Sequence, residues 1–389
     1  MPYYRRNLCV LSLTIFLAAA SWNQIIPFLP LFLKQMGVGK SLYAWVSIVF
    51  ALQSISSIAA QPFWGKLGDN YGRKVMVIRA GFCLMGIYFA MSVCNAPWQL
   101  ALLRFLNGAL TGFIPGSVTL IATNTPSEYA PRSVATAQAA SAAGLIVGPA
   151  LGGLLGVLVG YRGAMLVSGF AVLISTLLVW WLVQEPNKPR DVEKTSLAQD
   201  FLIALRSPVQ LAILAGIFFA WIFSNAINPY LTLYLGEMST AEWLVGIIYA
   251  LPAVAFVLSA HMWTRLGERV GFERIVLLGL AGGGFCAAVL ALAHSVWVFA
   301  LLYFVTGIWM ASVQPGTAAL TCVEVDESFR GRAYGIQQSA GTLGGFVAPL
   351  AAGRISSMFG LRSIFLLVGI ILLFGAITFK LLIARWRDA

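Results

Sequence analysis

One charged residue, Arg104, lies within a long apolar stretch of the chain, residues 98–121. An arginine at the centre of a membrane span costs about 3 kcal/mol to insert, so it needs water or polar partners. No carboxylate is available for it within the apolar stretches, because all fourteen Asp and Glu residues fall in loops or at stretch ends. Arg104 could therefore bind an anionic ligand, or it could be satisfied by packing against amides such as Gln53 and Gln138.

Amide and aromatic side chains supply most of the other polar groups in the apolar stretches. The third, sixth, ninth and twelfth stretches are almost wholly apolar at their centres, so the polar groups are concentrated in the others. For any single amide, a hydrogen bond between helices is the simpler explanation. As a set, these residues predict a water-filled cavity that binds an amphiphilic ligand. The candidate cavity residues are Asn23, Gln24, Gln53, Arg104, Asn107, Gln138, Asn225, Asn228, Tyr230, Tyr249, Tyr303, Trp309, Gln314, Gln337 and Gln338.

The sequence predicts no enzyme, no metal site and no bound cofactor. Its five cysteines lie in or near apolar stretches without a CxxC spacing. Its two histidines, His261 and His294, lie in or next to different stretches. A membrane-embedded enzyme is the alternative from another functional class, and it would need clustered His, Cys or carboxylate groups within the membrane.

The composition indicates a membrane protein. Of the 389 residues, 59% are hydrophobic and only 10% are charged, whereas soluble domains average about 25% charged residues. Twelve apolar stretches reach the length of about 20 residues that a helix needs to cross a bilayer. Because backbone groups in lipid must pair within the chain, we expect an all-α polytopic membrane protein with 12 transmembrane helices. The expected spans are residues 8–33, 43–64, 75–94, 98–121, 133–158, 162–183, 209–235, 243–264, 274–293, 296–322, 333–358 and 361–383.

Basic residues predict the orientation of these helices. Most of the 25 Lys and Arg residues fall in the loops on one side, and the positive-inside bias places that side, with both termini, in the cytoplasm. The first span could be mistaken for a signal peptide, but its apolar stretch continues to Leu33, which favours a retained helix. We therefore expect a multi-pass membrane protein with both termini in the cytoplasm. The net charge of +11 then reflects topology and contact with anionic lipid, not nucleic-acid binding.

The chain repeats itself at a spacing of about 200 residues. Glycines, prolines and an arginine keep their register through five spans, which shared apolar composition alone would not produce. The matched pairs include Trp64 with Trp263, Gly72 with Gly271, Arg132 with Arg332, Pro149 with Pro349 and Gly160 with Gly360. We expect two pseudo-symmetric six-helix bundles, residues 1–183 and 208–389, joined by a charged cytoplasmic linker at residues 184–207.

Two motifs resemble those of the major facilitator superfamily, and the resemblance covers nearly the whole chain. Residues 65–74 (GKLGDNYGRK) are similar to the superfamily's loop between helices two and three. Residues 144–153 (GLIVGPALGG) are similar to the helix-five motif of its drug antiporters. Residues 26–31 (IPFLPL) and 62–65 (PFWG) resemble the MdtG-type branch of bacterial multidrug efflux proteins. The antiporter motif comprises Gly144, Gly148, Pro149, Gly152 and Gly153.

The first motif predicts a cytoplasmic latch. Asp69 could pair with Arg73 or cap a neighbouring helix, which the resemblance implies is helix eleven. A solvated charge cluster that only sets topology is the alternative. The latch residues are Gly65, Asp69, Gly72, Arg73, Glu128 and Arg132.

The resemblance implies a secondary active transporter that exports small amphiphilic molecules by alternating access, working as a monomer in the lipid bilayer of a bacterial inner membrane. An exporter of an anionic metabolite, siderophore or lipid, and a nutrient symporter, are the alternatives. Drug antiporters commonly carry a membrane-embedded carboxylate, and this chain lacks one. A cavity of net positive charge favours neutral or anionic substrates over lipophilic cations. Coupling to a proton gradient would need a boundary group such as Asp69, Glu128, Glu324 or His261.

Overall fold

The computed structural model describes residues 2–126, 128–186 and 197–387, without the side chains of Pro62, Lys66, Asp69, Glu327, Ser328, Gly331 and residues 197–201. Regular secondary structure in these residues is entirely helical, with short 3₁₀ turns at Ile26–Phe28 and Gly39–Ser41. The helices are α1 (Tyr3–Ile25), α2 (Leu29–Gln35), α3 (Leu42–Tyr71), α4 (Arg73–Val93), α5 (Pro97–Leu110), α6 (Phe113–Asn124), α7 (Ala130–Leu182), α8 (Leu197–Arg206), α9 (Pro208–Glu237), α10 (Glu242–Val270), α11 (Phe272–Leu290), α12 (Val296–Met310), α13 (Val313–Glu324), α14 (Glu327–Phe359) and α15 (Ser363–Arg387).

Ten segments of the described chain are long and apolar enough to cross a membrane. One of them, α7, has 53 residues, which is about twice what one crossing needs. Gly160, with φ 71° and ψ 170°, divides it into two helices. α14 adds a further helix of 33 residues, with basic residues toward both ends. Dividing α7 and adding α14 gives twelve spans, so the predicted fold class is confirmed.

Three of the spans consist of two helices in line. The first span joins α1 and α2 through the turn that contains Pro27, which has no N–H to donate to a helix. The fourth joins α5 and α6 at Gly112, whose φ of 126° is outside the helical region. The tenth joins α12 and α13. These breaks lie within spans that the sequence predicted to line a cavity.

The described chain forms two compact units. Unit 1 consists of Met1–Trp45, Leu52–Val192 and Ala241–Ala250, and unit 2 consists of Val46–Ala51, Glu193–Thr240 and Leu251–Ala389. The domain boundaries at residues 183 and 208 stay a prediction. Of the predicted linker, residues 187–196 lie outside the described residues, and α8 follows them.

Each unit has its own apolar core. In unit 1, α1 and α4 pack against α7, and buried Leu11, Val77 and Val179 belong to one cluster between these helices. In unit 2, α14 and α15 pack against α9, and α11 packs against α15. Aromatic rings fill part of the second core, where Tyr234 and Phe299 have centroids 5.3 Å apart.

The repeat predicted from the sequence is visible in matching local geometry. Gly72 has φ 98° and ψ 140°, and its counterpart Gly271 has φ 101° and ψ 137°. In each repeat a tryptophan donates its indole N–H to a backbone oxygen on the helix two spans later. The Trp64 bond to Ala109 measures 2.6 Å, and the Trp263 bond to Ile308 measures 2.7 Å. Equivalent residues therefore adopt the same backbone conformation and form the same hydrogen bond in the two copies.

Two glycines on α4 provide a matched test of helix packing. A Cβ at Gly81 would lie 2.1 Å from Oγ1 of buried Thr176, whereas a Cβ at Gly86 would meet nothing within 4 Å. Gly81→Ala should therefore destabilise the protein by about 1–3 kcal/mol through overpacking. Gly86→Ala should leave stability unchanged or raise it by up to about 1 kcal/mol. Thermal unfolding in detergent measures both variants, and equal midpoints for the two would contradict the packing of α4 on α7.

Candidate functional site

Arg104 lies on α5 in unit 1 with 3% of its surface exposed. Its guanidinium carbon sits 5.1 Å from the ring centroid of Trp22, which gives a cation–π contact. Tyr88 and Tyr249 also lie near its guanidinium group. We call Trp22, Tyr88, Arg104, Asn107 and Tyr249 the Arg104 cluster.

Two members of this cluster bury polar atoms that pair with no described residue. Asn107, three residues after Arg104 and on the same face of α5, is fully buried, and both of its amide heteroatoms lack a partner among the described residues. The hydroxyl of Tyr88, 1% exposed, has no hydrogen-bond partner there either. Buried polar groups of this kind are satisfied by water or a ligand, since leaving them unpaired costs about 1–3 kcal/mol. The cluster can thus bind a polar or anionic group.

A close approach of α3 to α5 fixes the position of the cluster. A Cβ at Gly108 would lie 2.1 Å from both the Gln53 backbone oxygen and the Ser56 hydroxyl, so only glycine fits. The Ser57 hydroxyl donates to the Gly108 carbonyl at 3.3 Å. Gln53 is half-buried at this contact. Gln138, the other amide considered as a partner of Arg104, is exposed on α7.

In unit 2 the predicted cavity residues form hydrogen bonds of their own. The buried Tyr303 hydroxyl donates to the Asn228 side-chain oxygen at 3.2 Å. The Tyr230 hydroxyl lies 2.7 Å from the Ser47 hydroxyl, and both donate to the carbonyl of Pro349. Two side chains, Ser47 and Tyr230, thus bond to one backbone oxygen on α14.

Two asparagines that the sequence assigned to the cavity bond to their own helix. Asn23 donates to the Ala19 carbonyl at 2.8 Å, and its counterpart Asn225 donates to the Trp221 carbonyl at 2.9 Å. Both side chains are half-buried. Their role in ligand binding stays a prediction.

The remaining predicted cavity residues divide between packing and exposed positions. Gln24 is buried and donates to the Ala164 carbonyl at 2.8 Å, which ties α1 to α7. Gln337 is buried and donates to the Thr321 hydroxyl at 2.7 Å. Trp309 is half-buried against Trp263, whereas Gln314 and Gln338 are exposed.

Glycines of the antiporter motif bring α7 against the backbone of α1. Gly144, Gly148 and Gly152 are spaced by four residues and share one face of the helix. A Cβ at Gly148 would lie 2.6 Å from the Ala20 carbonyl oxygen, and one at Gly152 would lie 2.1 Å from the Gln24 carbonyl oxygen. Larger residues at these positions would separate the two helices.

The other two residues of that motif face the segment Ala241–Ala250, which belongs to the same unit. A Cβ at Gly153 would lie 2.6 Å from the Glu242 carbonyl oxygen, and a Cβ at Gly246 would lie 2.3 Å from the Pro149 carbonyl oxygen. The Tyr161 hydroxyl donates to a carboxylate oxygen of Glu242 at 2.7 Å. Sequence reasoning missed this pair, because 81 residues separate the two partners.

In the predicted latch, the carboxylate that caps α4 comes from Glu185. Its two oxygens accept the backbone N–H groups of Arg73 and Lys74 at 3.0 and 2.9 Å. Gly72 precedes them with a positive φ that favours glycine. The Lys74 ammonium group also reaches the Trp180 carbonyl at 2.8 Å. A carboxylate at a helix N-terminus is stabilised by the helix dipole, so Glu185 fixes the end of the 65–74 loop.

The other predicted latch residues that the structure describes make few contacts. The side chain of Asp69 lies outside the described part of the structure. Glu128 and Arg132 are exposed, and neither side chain has a hydrogen bond or ion pair to a described residue. Gly65 is exposed, and a Cβ there would meet nothing within 4 Å. The latch itself stays a prediction.

Comparisons with known proteins agree on the class of this chain. A family model described as Major Facilitator Superfamily matches residues 11–260 and 239–388. The multidrug resistance protein MdtG of Salmonella arizonae is 30% identical over 381 residues, which cover 96% of this chain and 94% of MdtG, and MdtG of Salmonella typhimurium gives the same values. A crystal structure of a mutant of the nucleoside transporter NupG matches with a TM-score of 0.83 at 13% identity, over 97% of this chain and 99% of that one. At that identity the structural match shows the fold alone.

The effect of the Glu185 cap on stability can be distinguished from the effect of the net charge of the loops. Glu185→Gln should lower the free energy of unfolding by about 1–2 kcal/mol, because the charge-assisted bonds to the start of α4 are weakened. Glu128→Gln is the matched control, and removing this exposed carboxylate should change stability by less than about 0.5 kcal/mol. Thermal unfolding in detergent at low salt compares them. An equal loss in both variants would show that only net charge matters.

Proposed function

Because the chain belongs to the major facilitator superfamily, we propose that it is a secondary active transporter that exports small amphiphilic molecules by alternating access. The observation that carries this proposal is the similarity to MdtG along 96% of the chain, since that relative is named a multidrug resistance protein. The internal repeat supports it, because repeated bundles that rock about a shared site are the usual basis of alternating access.

The Arg104 cluster is the part of the site that we assign to substrate. Its one formal charge is positive, and no Asp or Glu lies at the centre of any predicted span. Trp22 and Tyr88 offer aromatic surface, and Asn107 offers an amide that can donate and accept. These groups suit an amphiphile that carries a carboxylate or a neutral polar group, better than a lipophilic cation.

This chemistry supports a second candidate function within the same class. A buried arginine beside unpaired polar atoms also suits an anionic metabolite, a siderophore or a lipid with an acidic head. In each case the transported group would pair with the buried amide of Asn107 beside Arg104. Both candidates share the prediction that negative charge on the substrate is favourable.

Proton coupling requires a group at the edge of the membrane. Glu128, Glu324 and His261 are exposed in the structure, and they stay the candidates that the sequence suggests. To these we add Glu242, which is half-buried and bonded to the Tyr161 hydroxyl beside the antiporter motif. Protonation of this carboxylate would weaken a charge-assisted hydrogen bond between α10 and α7.

Location, orientation and assembly complete the proposal. We place the chain in a bacterial inner membrane as a monomer, with both termini and the 65–74 loop in the cytoplasm. The distribution of basic residues between the loops supports this orientation. Residues 65–74, held by Glu185, would then latch the cytoplasmic side in one of the two states.

Transport by an Arg104→Gln variant tests the proposed substrate class. One arylalkyl amphiphile, prepared as a carboxylate, a primary amide and an amine, is offered to proteoliposomes under an imposed pH gradient. Wild type should favour the carboxylate, and the variant should lose about 10–100-fold in kcat/KM for it, because a hydrogen bond to a charged group contributes about 1.5–3 kcal/mol. The amide should change by less than about threefold, since it forms no ion pair with Arg104 and the glutamine side chain can donate a hydrogen bond to it instead.

The control for this experiment is Arg354→Gln, which removes an exposed positive charge on α14. It should leave transport of all three compounds unchanged. A preference of the wild type for the amine would overturn the assignment. Equal losses of all three compounds in Arg104→Gln, with the protein still folded, would show that Arg104 has only a structural role.

A further inference from the structure

A groove of about 350 Å³ opens in unit 2 between the start of α11 and the end of α15. Its floor is apolar, formed by Leu277 of α11 and by Phe379 and Ile383 of α15, of which the last two are buried. Its rim carries the basic residues Arg274 and Lys380. Nothing in the proposed transport mechanism uses this groove.

The rim has a surplus of positive charge. Glu273 and Arg387, which also line the groove, form an ion pair and neutralise each other. Arg274 and Lys380 are exposed, and neither makes a hydrogen bond or ion pair with a described residue. Among the described residues, the groove therefore presents two cations without an acidic partner above an apolar floor.

The equivalent junction in unit 1 is filled by the protein itself. There, Phe82 and Trp180 pack edge to face with centroids 5.9 Å apart, and Glu185 caps α4. At the repeat spacing of about 200 residues, the counterparts in unit 2 are Ala281 for Phe82, Lys380 for Trp180 and Arg385 for Glu185. Small and basic residues in unit 2 thus replace the aromatic pair and the acid.

The surroundings of the groove are those of a membrane-facing surface. Leu278 on α11 and Ile377 and Leu381 on α15 are 44%, 58% and 60% exposed. These side chains lie next to the lining residues in sequence, on helices that cross the membrane. A ligand that bound the rim through a charge could continue along this apolar surface with a hydrocarbon chain.

We propose that this groove binds the phosphate headgroup of an anionic phospholipid. Arg274 and Lys380 would contact the phosphate, and the first part of an acyl chain would lie over Leu277 and Ile383. Basic pockets between transmembrane helices suit such headgroups, and lysine and arginine stems pack on apolar surface while their charges stay in water. A soluble phosphate would gain nothing from the apolar floor.

Thermal stabilisation by added lipid tests the proposal on the full-length protein in a neutral detergent. The probes are phosphatidylglycerol, phosphatidylcholine with the same acyl chains, and inorganic phosphate. Wild type should be stabilised by phosphatidylglycerol in preference to phosphatidylcholine, and inorganic phosphate should not reproduce the shift. The double variant R274Q/K380Q should need about 30-fold more phosphatidylglycerol for half of the maximal shift, because two basic residues no longer contact the headgroup.

Two further variants distinguish this site from a general effect of charge. R265Q/R269Q removes two exposed basic residues at the end of α10, and it should respond to phosphatidylglycerol as wild type does. Ala384→Trp should narrow the groove without changing its charge. This variant, like R274Q/K380Q, should lose its preference for phosphatidylglycerol over phosphatidylcholine.

Three outcomes would overturn the proposal. The first is a full phosphatidylglycerol preference in R274Q/K380Q, and the second is an equal loss in R265Q/R269Q. The third is a shift produced equally by inorganic phosphate, which would show a site for free anions. Unfolding midpoints without lipid should match wild type, since both substituted side chains in R274Q/K380Q are exposed.

Discussion

A charged side chain buried among apolar helices must be solvated by other polar groups, and this constraint governs the chemistry of the molecule. Arg104 is 3% exposed, and no Asp or Glu lies at the centre of any predicted span. The Trp22 ring lies against it instead, with Tyr88 and Tyr249 nearby. Asn107 adds a buried amide on the same helix face. The cluster is consequently positive and polar, and that character determines which molecules it can bind.

Glycine provides the close helix contacts that hold this cluster in position. Gly108 lets α3 approach α5 to within van der Waals contact of backbone atoms, and Gly148 and Gly152 do the same for α1 and α7. Such contacts are characteristic of membrane proteins, where helices associate through packing because lipid is as apolar as their surfaces. The two copies of the repeat differ in the side chains found at the start of α4 and at the start of its counterpart, α11. Glu185 caps α4 in unit 1, whereas Arg387 pairs with Glu273 in unit 2.

Much of the fold was predictable because the repeat places residues with unusual backbone or hydrogen-bonding needs at matched positions. Gly72 and Gly271, for example, adopt nearly the same positive φ. The partners of individual polar groups were less predictable. The sequence predicts that Glu185 and Glu242 are charged residues in loops or at the ends of spans. In the structure, each of them bonds to residues that are 81 or more positions away. Gln24, predicted to face a ligand, ties α1 to α7. Pairing across such separations depends on three-dimensional packing, which local sequence patterns do not encode.

Counterflow in proteoliposomes tests most directly whether one site in this chain alternately faces the two sides of the membrane. Vesicles are loaded with an unlabelled arylalkyl carboxylate, diluted, and given a trace of the labelled compound outside. A shared, alternating site predicts that the label rises transiently above its equilibrium level inside, and that protein-free vesicles show no such rise. Simple equilibration at the protein-free rate, for the carboxylate and equally for its amide and amine, would contradict the account.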